Sequence, residues 1–246
     1  MKSKKYKAHT LFAWPVIETK DAHVPNSTER EFLTSYVKPA DIHVRRDIFS
    51  PEDLKEVYKN PVKSNIVQNF ISRDSYVLDD PKLKKMKASF QSCVDHYCYE
   101  ILKMDKHHKF YITQSWMIYN PKGTGHHFHF HPNSIISSVY YLQVPKVGAP
   151  ITFYHSKQQS LFPQFEFNYK EWNEFNSMSW WIPAIENSLL LFPSTLRHGV
   201  NDNTSDTPRI SMSFNVWAEN LGEPENLNEI KLRTNTTLNK RVGKLD

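Results

Sequence analysis

Four histidines lie close together in this chain, at His126, His127, His129 and His131. The segment around them is aromatic and reads as a β-strand, in which side chains two positions apart point to the same face. We therefore expect His129 and His131 to point to one side, together with His127, while His126 points to the other. Two imidazoles that converge in this way can bind one transition-metal ion, such as Fe(II), Zn(II), Cu(II) or Ni(II).

A second group of polar residues follows much later in the chain and predicts a third ligand and an anion site. His198 comes just after the apolar stretch 188–192 and a Pro-Ser turn, which places it near the end of a strand. Arg209 and Ser211 are in phase on the next apolar segment and therefore share one face. A guanidinium beside a hydroxyl forms a two-pronged site for a carboxylate.

Short apolar and aromatic segments in the second half of the chain predict the β-strands that carry these residues. Turn-rich segments separate them without an intervening helix, which is typical of an antiparallel sandwich or barrel. The expected strands cover residues 110–119, 128–130, 138–144, 151–155, 178–182, 188–192 and 210–218, with one earlier strand at 9–19.

Two helices are expected in the first half of the chain. Ser50, Pro51 and the acidic residues that follow are typical of a helix N-terminus. A longer helix is predicted from Asp80 to about Met104, because its apolar residues recur at intervals of three and four positions. We expect this helix to cover one face of the β-sheet.

Composition and charge narrow the class of protein. With 246 residues, 39% of them hydrophobic and 13% aromatic, the chain is long enough to bury the core of a single domain. The net charge of +5 is carried by scattered lysines without a basic and aromatic surface, which argues against a nucleic-acid partner. No segment reaches the ~20 apolar residues of a membrane span. Cys93 and Cys98 are expected to be core thiols in a reducing compartment, so we predict a cytoplasmic protein.

Taken together, these motifs resemble those of the 2-oxoglutarate/Fe(II)-dependent oxygenases. The segments Tyr-Asn-Pro-Lys-Gly-Thr-Gly at 119–125, His-Phe-His at 129–131 and Ser-Ser-Val-Tyr-Tyr-Leu at 137–142 are similar to the prolyl-hydroxylase pattern. The later Leu-Phe-Pro-Ser, His-Gly-Val and Arg-Ile-Ser-Met-Ser-Phe-Asn segments resemble the distal histidine and co-substrate arginine strands. The chain also resembles a subgroup of these oxygenases that carries His-x-His-Pro-x-Ser and Arg-Ile-Ser-x-Ser-Phe-Asn motifs.

The resemblance implies a mainly β fold with flanking helices, built on a double-stranded β-helix core of the jelly-roll or cupin-like type. We expect one domain over residues 1–246. Residues 1–109 would supply an N-terminal strand and helices that pack on the core, residues 110–218 would form the catalytic core, and residues 219–246 would form a polar C-terminal extension.

The function implied by the resemblance is that of a dioxygenase with Fe(II) as cofactor and 2-oxoglutarate and O2 as co-substrates. It would hydroxylate a C–H bond of an unidentified small molecule or protein side chain and release succinate and CO2. The implied site residues are, for the metal and catalysis, His129, His131 and His198 and, for 2-oxoglutarate, Arg209, Ser211, Tyr119 and Tyr141.

One position departs from the family pattern and keeps alternatives open. The family places an aspartate where this chain has His131, so three neutral ligands would leave the metal site more positive by one charge. His131 could instead lie outside the metal's ligand set, or His127 and His129 could be the ligand pair. Two rival functions are a three-histidine cupin-type dioxygenase that does not use 2-oxoglutarate and a non-catalytic β-barrel with a closed structural metal site.

Overall fold

The computed structural model describes residues 7, 13–37, 42–43, 70–146, 150–155 and 167–230. Within these ranges the protein has two antiparallel sheets that face each other and a layer of helices on the outer side of the larger sheet. The strands are β1 (Ile17–Thr19), β2 (Ile42–His43), β3 (Phe70–Ser72), β4 (Lys109–Asn120), β5 (His126–His129), β6 (Ile136–Gln143), β7 (Ile151–Tyr154), β8 (Ser179–Ile182), β9 (Leu189–Pro193), β10 (Arg197–Val200) and β11 (Arg209–Glu219).

The two sheets divide the strands so that distant parts of the chain become neighbours. The larger sheet has the order β1-β9-β6-β11-β4-β3-β2, and the smaller sheet has the order β5-β10-β7-β8. The seven expected strands of the second half are present, with bounds that differ by one or two residues, but β10 was not expected. His198 therefore lies on a strand of its own in the smaller sheet rather than at the end of the strand at 188–192. The first strand is shorter than expected: residues 13–16 are not part of it, and residues 9–12 lie outside the described ranges.

The helices follow local sequence signals. Helix α1 (Ser27–Ser35) begins with a capping box, in which the Asn26 side chain accepts from the backbone N–H of Glu29 at 2.9 Å and the Glu29 carboxylate accepts from that of Asn26 at 3.0 Å. Helix α2 (Lys84–Asp95) continues into a π-helical turn, His96–Ile101.

The long helix expected from Asp80 therefore corresponds to several helical segments. Two short 3-10 turns, Val77–Asp79 and Pro81–Leu83, precede α2, and the helical region ends at Ile101 rather than Met104. The helix expected from Ser50 lies outside the described residues. None of the described helices is long and apolar enough to cross a membrane.

Alternation along β11 separates two buried regions. Ile210, Met212, Phe214 and Val216 point towards the helices, where Phe90 of α2 stacks on Phe214 with ring centroids 5.5 Å apart. This packing removes a large apolar area from water and holds the larger sheet against α2.

The opposite face of β11 points into the space between the sheets and carries polar side chains. Arg209, Ser211, Ser213 and Asn215 are buried there, beside an apolar cluster that includes Tyr141 and other residues of the two sheets. Buried polar groups require hydrogen-bond or ionic partners. This face is consequently where a functional site is expected.

Candidate functional site

Strand pairing brings the predicted histidines to one point between the sheets. Strands β5 and β10 are antiparallel, and His129 lies directly opposite His198, so their rings share a face and their centroids are 4.4 Å apart. The backbone N–H of His131 donates to the carbonyl of Ser194 at 3.0 Å. This hydrogen bond helps to hold His131 close to the other two histidines. The His131 ring lies 5.0 Å from that of His129 and 5.2 Å from that of His198. One candidate ligand atom from each residue lies within 4.8 Å of the others.

The hydrogen bonds that the three rings make to oxygen atoms all use the same nitrogen. Nδ1 has an oxygen partner in every case: the His127 carbonyl at 2.7 Å for His129, the Asn215 side-chain carbonyl at 3.0 Å for His131, and the Leu196 carbonyl at 2.9 Å for His198. A carbonyl oxygen only accepts, so Nδ1 carries the hydrogen and Nε2 presents its lone pair.

The spacing of these free nitrogens suits a metal ion. The Nε2 atoms of His129 and His131 are 3.1 Å apart. Two lone pairs at this distance repel each other unless a cation lies between them. Two imidazole nitrogens that bind one ion at about 2.1 Å each would lie roughly 3.0–3.4 Å apart, depending on the coordination angle. The donor set therefore fits a divalent transition metal.

Burial keeps these imidazoles in the form that binds metals. It lowers the pKa of His129, and it lowers the pKa of His131 to about 4 and that of His198 to about 3, with the neighbouring His129 contributing to both. Neutral imidazole is the ligand form, so no proton has to leave these rings near neutral pH before a metal binds.

A chain of hydrogen bonds behind His131 holds its ring in place. Asn215 Oδ1 accepts from His131 Nδ1 and from the Ser137 hydroxyl, each at 3.0 Å. The hydroxyl oxygens of Ser137 and Ser194 are 2.8 Å apart, and Ser194 donates to Ser134 at 2.7 Å. Sequence reasoning did not assign these residues to the site, although Asn215 is in phase with Arg209 and Ser211 on β11.

At the predicted anion site, Arg209 is buried beside polar groups that have no hydrogen-bond partner among the described residues. Arg209 is only 2% exposed, and its Nη1 donates to Asn120 Oδ1 at 3.2 Å. No carboxylate in the described part of the chain pairs with it. The Arg209 Nε and the hydroxyls of Ser211 and Tyr141 are buried there without hydrogen-bond partners, and the guanidinium lies 5.1 Å from the Tyr141 ring centroid. An unpaired buried charge is costly, so an anionic ligand would relieve this arrangement.

One cavity joins the histidines to Arg209. His129, His131, His198, Arg209 and Ser211 all line it, between the two sheets. The metal-binding candidates and the candidate anion site therefore share one space.

Two predicted site residues, Tyr119 and Tyr141, are not among the side chains that line this cavity. Tyr119 pairs with Ile210 on the helix-facing side of the larger sheet and packs near Phe70, with ring centroids 6.2 Å apart. Its neighbour Asn120 pairs with Arg209 and reaches the guanidinium instead. By contrast, Tyr141 lies directly opposite Ser211.

His126 and His127 do not point to the faces that strict alternation predicts. His129 pairs with His198 and His126 pairs with Val200, so β5 has one more residue than β10 over this stretch. Such a bulge reverses the facing of the residues before it. The His126 ring lines the cavity and stacks on His129 with centroids 4.2 Å apart, whereas His127 is exposed.

The family prediction is confirmed by comparison with known proteins. Residues 114–215 match the family described as "Putative 2OG-Fe(II) oxygenase". The match covers somewhat less than half of the chain and includes the strands that carry the candidate site. No curated protein matches the chain in sequence.

Solved structures confirm the expected fold. SnoK, a non-heme alpha ketoglutarate dependent carbocyclase from nogalamycin biosynthesis, has a TM-score of 0.52 and 12% identity over 82% of this chain and 79% of its own. Two further matches cover 82% of both chains: a prolyl hydroxylase from Trichoplax adhaerens (14% identity, TM-score 0.48) and HygX from Streptomyces hygroscopicus (11%, 0.47). The likeness to SnoK is one of fold, the double-stranded β-helix.

Removing the amide behind His131 should weaken metal binding. Asn215→Ala leaves His131 Nδ1 without its acceptor, and loss of such an orienting partner costs about 10–100-fold in metal affinity. Asn215→Asp retains an acceptor and should keep most of the affinity. The measurement is chelator competition with Co(II), and an unchanged dissociation constant in Asn215→Ala would show that the amide does not orient the ring.

The metal-free protein should lose stability as the pH falls from 7 to 5. The unfolded chain takes up protons near pH 6.5, while folded His198, with its pKa of about 3, does not. Lower pH therefore favours the unfolded state, by about 2 kcal/mol for this residue over that interval. Chemical denaturation in the presence of a chelator measures the effect. His198→Gln should lose this share of the pH dependence, and an identical slope in both proteins would contradict the assignment.

Proposed function

We propose that this chain is an Fe(II)-dependent dioxygenase that couples the oxidation of 2-oxoglutarate to succinate and CO2 with the hydroxylation of a substrate C–H bond. One observation carries the proposal: a buried arginine without a carboxylate partner in the described residues lies in the same cavity as three imidazoles with free Nε2 atoms. The atoms balance, because one oxygen atom of O2 enters succinate and the other enters the hydroxylated product.

His129, His131 and His198 would hold the metal. When bound, Fe(II) supplies the redox chemistry by which O2 oxidises both the co-substrate and the substrate. Three neutral imidazoles leave the full charge of the ion uncompensated, which strengthens its attraction for the 2-oxo acid end of the co-substrate. His126, His127 and His129 also bring their ligand atoms within 4.8 Å of one another, but this alternative includes the exposed His127, whereas His131 and His198 both line the cavity with Arg209.

Arg209 would hold the distal carboxylate of 2-oxoglutarate. Its Nε, the Ser211 hydroxyl and the Tyr141 hydroxyl are buried donors that have no hydrogen-bond partner among the described residues, and together they can satisfy a carboxylate. Asn120 keeps Nη1 in place and so fixes the direction of the guanidinium. The distal carboxylate would thus supply the negative charge that pairs with Arg209.

The walls of the cavity would limit the access of water to the reaction. Trp116 stacks on His131 with ring centroids 5.7 Å apart, and Val139 and Phe192 are buried side chains of the same cavity. An apolar surround strengthens the ionic contacts of the co-substrate and protects reactive species from solvent.

The two rival functions leave the anion site without a purpose. A cupin-type dioxygenase that does not use 2-oxoglutarate, or a closed structural metal site, has no need for a buried guanidinium beside the metal.

The substrate would be a small molecule or a protein side chain. The free thiols of Cys93 and Cys98 agree with a reducing, cytoplasmic setting.

Loss of the arginine should abolish tight binding of the co-substrate. Truncation of one partner of a buried charge pair costs about 2–5 kcal/mol, so Arg209→Ala should raise the 2-oxoglutarate dissociation constant roughly 30-fold or more. Ser211→Ala should cost about 1 kcal/mol. The measurement is an anaerobic titration of the Fe(II) protein that follows the metal-to-ligand charge-transfer band.

A matched control is Arg197→Ala, which removes an exposed arginine of β10 and should leave the titration unchanged. Metal content should be the same in all variants. An unaltered midpoint in Arg209→Ala would remove this residue from the co-substrate site. Failure of the wild-type protein to bind 2-oxoglutarate, with no succinate formed, would favour the cupin-type alternative.

A further inference from the structure

His126 is a histidine of the cavity that the proposed function leaves without a role. Its ring lines the same space as Arg209 and Ser211. The ring contacts those of His127 and His129, but its nitrogens form no hydrogen bond with any described residue. A polar ring that faces a cavity in this way is available to a ligand.

Two local features turn His126 inward. The extra residue of β5 is the first, since it breaks the alternation between His126 and His129. The second is Gly125, where a Cβ atom would lie 2.5 Å from the Val200 carbonyl oxygen and 2.8 Å from Asp202 Oδ1. Glycine therefore permits the close approach of the two strands that carries His126 into the cavity.

The backbone next to His126 is tied to the residue that orients Arg209. Asn120 Nδ2 donates to the carbonyl of Gly125 at 3.1 Å, and Asn120 Oδ1 accepts from Arg209 at 3.2 Å. His126 therefore lines the cavity beside His129, and the backbone before it is linked through Asn120 to Arg209. A ligand that fills this cavity would lie beside the ring.

The orientation of the ring argues against a fourth metal ligand. The His126 and His129 rings are nearly parallel, with an interplanar angle of 20° and centroids 4.2 Å apart. Lone pairs on stacked, parallel rings run side by side rather than converging on one ion. A hydrogen bond to an organic ligand does not require such convergence.

We propose that His126 is a further binding residue for the co-substrate, whose ring N–H donates a hydrogen bond to the carboxylate held by Arg209. This inference rests on the proposed function. His126 would complete the set of donors from the smaller sheet, opposite Ser211 and Tyr141 on the larger one. It would also favour a dicarboxylic 2-oxo acid over one whose distal end is apolar, since an apolar end would leave these donors unpaired.

The test compares His126→Phe with His127→Phe. Phenylalanine at 126 keeps an aromatic ring against His129 but removes the N–H donor, whereas His127 is an exposed neighbour on the same strand and serves as the matched control. Each Fe(II) protein is titrated anaerobically with 2-oxoglutarate and with 2-oxopentanoate, which has a methyl group in place of the distal carboxylate. Metal affinity is measured in parallel by chelator competition.

His126→Phe should raise the dissociation constant for 2-oxoglutarate about tenfold or more, because a hydrogen bond to a charged group is lost. Binding of 2-oxopentanoate and of the metal should not change, and His126→Gln, which restores a donor, should recover part of the affinity. The control His127→Phe should behave as the wild type.

Two results would overturn the inference. Equal affinity of His126→Phe and wild type for 2-oxoglutarate would show that no such hydrogen bond forms. A loss of metal affinity in His126→Phe would instead make His126 a metal ligand. Both results leave the proposed function intact if Arg209→Ala still loses 2-oxoglutarate, so the two claims fail separately.

Discussion

A charged guanidinium buried between two sheets is the constraint on which the site depends. Arg209 has a neutral partner in Asn120, and the described residues supply no carboxylate to balance its charge. The rest of the fold must hold this unfavourable group in place, and it does so through the opposite face of the same strand. There Met212 and Phe214 pack against α2 in the apolar core. A ligand that supplies the missing anion binds only the folded state and should therefore stabilise the protein.

The three metal-binding candidates are oriented in two different ways. His129 and His198 each place Nδ1 against the carbonyl of the residue two positions earlier, so their orientation is fixed by their own strands. His131 depends on Asn215, which comes from β11 of the larger sheet. His131 is the position at which the family pattern has an aspartate. Its ring is thus also the one whose orientation requires the two sheets to be packed together. An amide carbonyl is a suitable partner, because it accepts from a neutral imidazole and fixes its tautomer.

Alternation with a period of two was enough to predict much of this site from the sequence. It placed Arg209 and Ser211 on one face of a strand, and the apolar segments predicted most of the strands, although not β10, which carries His198. Tyr119 was assigned from a motif, yet its cross-strand partner is Ile210, so it faces the helices. Adjacent residues on a strand cannot share a face, and Asn120 is the one opposite Arg209.

Other features of the site depend on tertiary structure that a period of two does not contain. The inward turn of His126 arises from a bulge, which is visible only once β5 and β10 are paired. Asn215 was in phase with the anion-binding residues, but its contact with His131 depends on how the two sheets pack. The spacing of apolar residues likewise did not predict the division of the expected long helix into 3-10, α and π segments.

The most direct test of this account is a crystal structure of the protein with Mn(II) and 2-oxoglutarate, obtained without oxygen. We expect an ion bound by Nε2 of His129, His131 and His198, and a distal carboxylate that contacts Arg209, Ser211 and Tyr141. An ion held by His127, or a co-substrate whose distal carboxylate lies away from Arg209, would contradict it.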